Sequence, residues 1–326
     1  MSLYLLTIMT YNLKTVLKIS RAVFHTLLLI FVFISCNSKT DKRYSEQTSS
    51  INQISQSFAF NKPKPLTSKN TTLASWNIQD LGRTKNPEEL REIANILRNF
   101  DIVAIQEVVA KDPAGAQAVA KIADELNRMG AKWDYRISDP TKSPSVYISE
   151  RYAFLWKTSK VSLIHRAYLD EELQDICNRE PYIAAFKLKG KSDPFYVINF
   201  HSRKHDDRPE EEIIHFLDYT SRLKSDRIII AGDFNLDENH QVWKPFYRSG
   251  FKSALQNTPT TLKMKCKNDT YLNYAIDNIY FGPSIKFLQS GSVDFVGSCQ
   301  ELEWARSLSD HLPVFMEFKF EGNDNN

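Results

Sequence analysis

The sequence predicts an α/β protein of two packed mixed β-sheets with helices outside, and three observations carry that prediction. Residues 72–129 alternate short strand-like runs with amphipathic helix-like ones. Residues 152–200 then give strand-like runs with little helix between them. The stretch RIIIAGDFNLD at 227–237 sets three isoleucines in a row, the pattern of a strand buried on both faces. Ala231 and Gly232 then let the backbone turn where a side chain would crowd it.

Taken in order, residues 72–77 read as the first strand. Residues 87–100 carry Leu90, Ile93, Ala94 and Leu97 at helical spacing, with Asn86 as cap and Pro87 in the first turn. Residues 102–106 are a second buried strand, and Asp112-Pro113 opens a helix with inner face Val119, Ile122, Ala123, Leu126 and Met129. Strands follow at 152–156, 161–164, 182–188 and 195–200. Residues 209–223 read as one helix whose first turn, Glu210 to Glu212, matches the helix dipole. After the 227–232 strand come a short helix at 242–247 and strands at 274–281 and 314–320. No repeat or heptad pattern interrupts 72–320.

The 326-residue chain is 42% hydrophobic and 25% charged, an ordinary globular composition that is long enough to bury a full core. Its amino end differs: Lys14, Lys18 and Arg21 precede the apolar run 27–34, which is too short to span a bilayer, and Ser35 and Cys36 follow. This predicts a signal segment over 1–35. Cys36 directly after Phe33-Ile34-Ser35 resembles the lipobox of bacterial lipoproteins, which implies lipidation at Cys36 and an exported, envelope-anchored protein; the alternative is a simple secretory signal. Residues 36–71, rich in Ser, Thr, Asn, Gln and Lys, read as a flexible tether, 72–320 as the folded domain and 321–326 as a tail.

The three basic residues of the signal account for the whole +3 charge, leaving 39 Lys+Arg against 39 Asp+Glu. No global positive field gathers phosphates, so nucleic-acid binding has to rest on a local basic patch and metal ions. Of Cys177, Cys266 and Cys299, one pair can be bridged in an exported protein, and the sequence leaves the three pairings open.

The residues that end or follow the apolar strands are unusually acidic, amide or histidine: Asn77, Glu107, Glu150, His201, Asp233 with Asn235, Asp277, and Asp310 with His311. Glu107 and Asp310 suit a hard divalent cation such as Mg²⁺, and Asn77 can orient a ligand or contact phosphate. His201 and His311 can move protons near neutral pH, and Glu150 and Asp277 are available to fix their tautomers. Two such pairs around one metal describe in-line phosphodiester hydrolysis.

The motifs SWNIQDLG (75–82), IVAIQEV (102–108), ERYAFLWK (150–157), NREP (178–181), INFHS (198–202), IAGDFNLD (230–237), IDNIYF (276–281) and LSDHLPV (308–314) resemble the endonuclease/exonuclease/phosphatase superfamily, most closely its deoxyribonuclease I branch. The resemblance runs in order across 72–320. It implies a four-layered αββα sandwich with its site where the two sheets' strand ends meet. It further implies Glu107 as principal metal ligand with Asp310 and Asn77 assisting, and the pairs His201 with Glu150 and His311 with Asp277. Asp233 and Asn235 would hold the attacking water or the scissile phosphate. The implied cofactor is Mg²⁺, for which Mn²⁺ can substitute, with structural Ca²⁺ a further expectation near Asp170 to Asp175.

Arg179 with Asn178 matches the position that grips the nucleic-acid backbone; the alternative for Arg179 is an ion pair with Glu180. The family's arginine after QEV is absent, Val109 and Ala110 standing there, with Lys111 slightly late. Tyr147 is displaced by one from the expected tyrosine, and only Cys177 lies where vertebrate enzymes place a local disulfide. Arg203, with Lys204 and His205, either replaces lost contacts or forms a solvated loop beside Asp206 and Asp207. The function implied is an exported, monomeric, metal-dependent endonuclease leaving 5′-phosphate ends on DNA, with no protein partner. A phospholipid or inositol-phosphate hydrolase of the same superfamily and a non-catalytic binding module are the alternatives.

Overall fold

The computed structural model describes residues 70–320; the expected signal, the lipidation at Cys36, the tail and all but the end of the tether lie outside them. In chain order the elements are β1 (Thr71–Leu81), α1 (Pro87–Leu97), β2 (Ile102–Val109), α2 (Ala114–Arg128), β3 (Trp133–Ile137), β4 (Glu150–Lys157), β5 (Val161–Leu163), β6 (Tyr168–Leu169), β7 (Tyr182–Leu188) and β8 (Pro194–His201). Then follow α3 (Glu210–Ile213), α4 (Tyr219–Arg222), β9 (Ile228–Asp233), α5 (Lys244–Arg248), β10 (Lys252–Ser253), β11 (Leu262–Lys267), β12 (Thr270–Leu272), β13 (Asp277–Phe281), β14 (Ile285–Ser292), α6 (Leu302–Leu308) and β15 (Val314–Phe320).

Two mixed sheets result, ordered β14-β15-β1-β2-β4-β3 and β10-β13-β9-β8-β7-β5, with β6 beside β7 and β11–β12 a separate hairpin. The β1–β2 and β8–β9 pairs are parallel, one in each sheet. Alternation along β9 explains its isoleucines: Ile229 joins the core between the sheets, whereas Ile228 and Ile230 pack outward against Phe216, Trp243 and Phe246. The inner layer sets Leu73, Ile102 and Phe154 against Phe186, Val197 and Ile279. Helices α1 and α2 bury Leu90, Ile93 and Leu97, and Val119, Ile122 and Leu126. The two sheets with their flanking helices make the expected sandwich.

Asn86 caps α1 in a reciprocal box with Glu89, accepting from Glu88 and Glu89 N–H at 2.9 Å. The single helix expected over 209–223 is instead α3, a 3₁₀ segment (Ile214–Asp218) and α4. Met129 is half-buried at the end of α2 rather than part of its core face. The strand expected from 274 begins at Asp277, because Tyr274 bonds back to Thr260 and Thr261. β3, the β11–β12 hairpin, β14 and α6 were not among the expected elements; their half-exposed faces carry little periodic signal.

Candidate active site

Strand register brings the polar strand ends together. Asp233, last in β9, lies opposite Asp277 in β13 and opposite His201, last in β8. Gly232 permits this approach, since a Cβ there would fall 1.8 Å from the Phe200 carbonyl oxygen. Asn77 projects from β1, and Glu107 from a bulge of β2 against β4 with φ of 60°, a left-handed conformation that re-aims its side chain. Glu150 opens β4, and Asp310 and His311 stand just before β15.

Each histidine has its own carboxylate. His201 Nδ1 lies 3.1 Å from both Glu150 oxygens, and His311 Nδ1 lies 2.8 Å from Asp277 Oδ2. Their Nε2 atoms lie 3.6 and 3.7 Å from one shared atom, Asp233 Oδ2. That oxygen also accepts from Asn77 Nδ2 at 3.2 Å, and Asn235 N–H donates to Asp233 Oδ1 at 3.0 Å. Asn235 itself holds a φ of 52°.

Burial costs Glu150 its charge, but His201 and Arg179 outweigh this and lower its pKa. His201 is likewise disfavoured as a cation by burial, yet Glu150 raises it, with Arg179 opposing. For His311, burial disfavours the cation, but Asp277 and then Asp233 outweigh it and raise the imidazole to about 10. Burial raises the Asp277 carboxyl; His311 and the Thr260 hydroxyl, which donates to the same oxygen at 2.6 Å, oppose this.

The residues expected to hold a cation converge as well. Asn77 Nδ2 donates to Glu107 Oε1 at 3.0 Å, and Asp80 N–H to Glu107 Oε2 at 3.2 Å. Among the described residues Asp310 lies within ion-pair distance of Arg306 and His311, at 3.9 and 4.0 Å, and keeps acceptor capacity. The test of fit is Asn77 Oδ1, a buried acceptor without a hydrogen-bond partner beside these carboxylates. An all-oxygen donor set with a spare buried carbonyl fits a hard divalent ion. Asp233, Asp277 and His311 also bring potential ligand atoms within 4.8 Å of one another, but the Asp277 and His311 atoms are joined to each other. No comparable cage forms over residues 170–175, where calcium was expected: Asp170 is taken by Arg222 and Tyr219, and Asp175 by Lys142.

The expected nucleic-acid contacts divide. Arg179 Nε lies 2.9 Å from Glu150 Oε2 and bonds Ile148 O, and its Nη1 bonds Ser202 O. It therefore braces the His201 carboxylate and does not pair with Glu180, which accepts Lys142 N–H. Asn178 gives its N–H to Glu212 and points its amide toward Asp207. Arg203 is neither a free contact nor a solvated residue, being clamped on fully buried Glu212 at 3.0 Å and on Ile176 O at 2.6 Å. Tyr147 is 86% exposed, with Lys111 Nζ 5.9 Å from its ring centre. Cysteines 266 and 299 form the disulfide, and Cys177 is free and buried.

Several supporting residues lay outside the sequence reading. Gln106 Nε2 donates to Asn199 Oδ1 at 2.6 Å across the sheet interface, Ser309 Oγ donates to Asn77 O at 2.6 Å, and Trp76 Nε1 to His311 O at 2.8 Å. Burial lowers the pKa of Lys85 against the pull of four carboxylates, Glu107 and Asp310 among them. Ser309 and Trp76 stood inside recognisable motifs; Lys85 and Thr260 offered no signal.

The pattern of the Endonuclease/Exonuclease/phosphatase family matches residues 74–311. A protein named deoxyribonuclease from Thioalkalivibrio sp. (strain K90mix) is 31% identical, across 77% of this chain and 71% of that one. A deoxyribonuclease-1-like 1 from Sus scrofa is 28% identical, across 75% and 80%. The crystal structure of an endonuclease/exonuclease/phosphatase family protein from Bacteroides thetaiotaomicron superposes with a TM-score of 0.57 at 17% identity, covering 78% of this chain and 98% of that one, a likeness of fold. With its two sheets, its ordered strand-end residues and these matches, the chain belongs to the Endonuclease/Exonuclease/phosphatase family, on its deoxyribonuclease I-like branch.

Proposed function

We propose that this protein is a divalent-metal-dependent endonuclease that hydrolyses DNA phosphodiester bonds to 5′-phosphate ends. One observation carries the reading: the Nε2 atoms of His201 and His311 face a single oxygen of Asp233, while each Nδ1 is held by a separate carboxylate. Proton exchange with a substrate is thereby confined to the two Nε2 atoms. One accepts a proton from the attacking water and the other gives one to the leaving oxygen. Asp233, fixed by Asn77 and the Asn235 N–H, orients the water between them. Glu107, Asp310 and Asn77 would hold Mg²⁺ or Mn²⁺. When bound, the ion supplies charge neutralisation at the phosphate oxygens. The choice of DNA follows the names of the two deoxyribonuclease relatives.

Export and a lipid anchor at Cys36 belong to the same proposal and rest on the basic, apolar and Ser-Cys pattern of residues 14–36. The domain is proposed to act as a monomer. The test is incubation of the purified domain with plasmid, phosphatidylinositol and inositol phosphates in Mg²⁺ and in EDTA. Mg²⁺-dependent nicks sealed by DNA ligase are expected. Turnover of lipid or inositol phosphate with intact plasmid would replace the DNA reading.

A further inference from the structure

The β11–β12 hairpin stands next to the site and has no part in the chemistry above. Its two-residue turn, Asn268-Asp269, has φ of 53° and 54° at both positions between the paired Lys267 and Thr270, the tight turn that matches strand twist. Its base is fastened to the catalytic segment. Leu262 N–H donates to Asp310 O at 2.7 Å, Thr261 bridges His311, and Arg306 Nη1 donates to Leu262 O at 2.9 Å. Farther out, Cys266 is bonded to Cys299, just before α6. The hairpin is thus held at both levels relative to Asp310 and His311.

It carries Lys263, Lys265 and Lys267 in alternation, the last two exposed and the first half-buried, and none is in an ion pair among the described residues. Met264 is 78% exposed and Tyr274, beside the base, 64%. A regular strand advances about 3.3 Å per residue, so the 263–267 backbone, whose register is broken between Leu262 and Lys267, reaches at most about 13 Å. That reach is about four base-pair rises along the axis of a duplex. The only carboxylate on the hairpin itself is Asp269 at its tip.

We propose that this hairpin is the nucleic-acid backbone clamp of the protein, Lys263, Lys265 and Lys267 neutralising phosphates beyond the scissile one and Tyr274 offering its ring to a base. The ligand chemistry rests on the nuclease reading above; the surface and its charge do not. Arg179 and Arg203 are consumed by Glu150 and Glu212, so neither offers a free guanidinium to a phosphate. A hairpin tipped by Asn268-Asp269 rather than by large apolar groups favours a polyanion over insertion into lipid.

The test compares wild type, the triple variant Lys263→Ser, Lys265→Ser, Lys267→Ser, and the triple Lys→Arg variant. Three readouts are used: plasmid nicking against salt, anisotropy of a labelled duplex in EDTA, and hydrolysis of bis(4-nitrophenyl) phosphate. For the serine variant we expect at least a tenfold higher KM for plasmid, unchanged turnover of the small diester, and a salt slope of log affinity shallower by about 2 to 3. The arginine variant should restore affinity. Wild type that nicks DNA, with serine and wild-type slopes equal, overturns the clamp and leaves the nuclease reading standing. Wild type that binds duplex through these lysines without nicking overturns the nuclease reading and leaves the clamp. Lysine-dependent binding to phosphatidylglycerol vesicles with unaltered duplex binding would overturn the choice of partner.

Discussion

At His311, burial and neighbouring charge act in opposite directions, and charge wins: Asp277 and Asp233 raise it to about 10 from an ordinary 6.5. A group raised in the folded state gives stability that is full below its unfolded pKa and is lost as pH rises through the folded one. In metal-free protein the urea midpoint of wild type should therefore exceed that of His311→Gln most below about pH 6.5 and converge on it toward about pH 10. A pH-independent gap would contradict the pairing. At Arg179 the guanidinium lowers His201 and holds Glu150. Arg179→Met should raise the His201 pKa measured by NMR in EDTA and reduce kcat about a hundredfold, the scale set by a positioned acid or base. An unmoved His201 titration with normal turnover would show that Arg179 serves another purpose.

Among the elements, β9 and the α3 region show how secondary structure serves the site. Gly232→Ala would drive a methyl into the Phe200 carbonyl and part β8 from β9. We expect it to destabilise the domain by about 3 kcal/mol, as overpacking does, and to abolish activity; calorimetry showing wild-type Tm would contradict the close approach. Glu212 of α3, fully buried, accepts from Asn178 and Arg203 N–H and thereby ties together the loops that carry Arg179 and follow His201. Glu212→Gln should cost about 2 kcal/mol in urea unfolding, the scale of hydrogen bonds to a charged group, and lower kcat more than it raises KM. The buried strands, the Asn86 cap and the strand-end residues were legible because period, capping chemistry and polar residues after apolar runs are local signals. The broken 209–223 helix, the late start of β13 and the hairpin were not, since each is decided by partners distant in sequence. The fates of Arg179 and Arg203 were hidden for the same reason: charge type shows in a sequence, but the carboxylate that consumes it does not.

Across the whole molecule, the parallel pairs β1–β2 and β8–β9 set Asn77 and Glu107 from one sheet and His201 and Asp233 from the other at a common edge. The Gln106–Asn199 hydrogen bond joins the sheets beneath them. Catalysis is expected to depend on that shared edge, with both imidazoles acting at one Asp233 oxygen and neither working alone. The most direct measurement is the single-turnover rate of supercoiled plasmid nicking in Mg²⁺ for wild type, His201→Ala, His311→Ala and the double variant. Each single variant should lose at least about a hundredfold and the double variant should be little worse than either, because residues acting as a unit are not additive. Near wild-type rates in either single variant, or losses that multiply in the double, would contradict this.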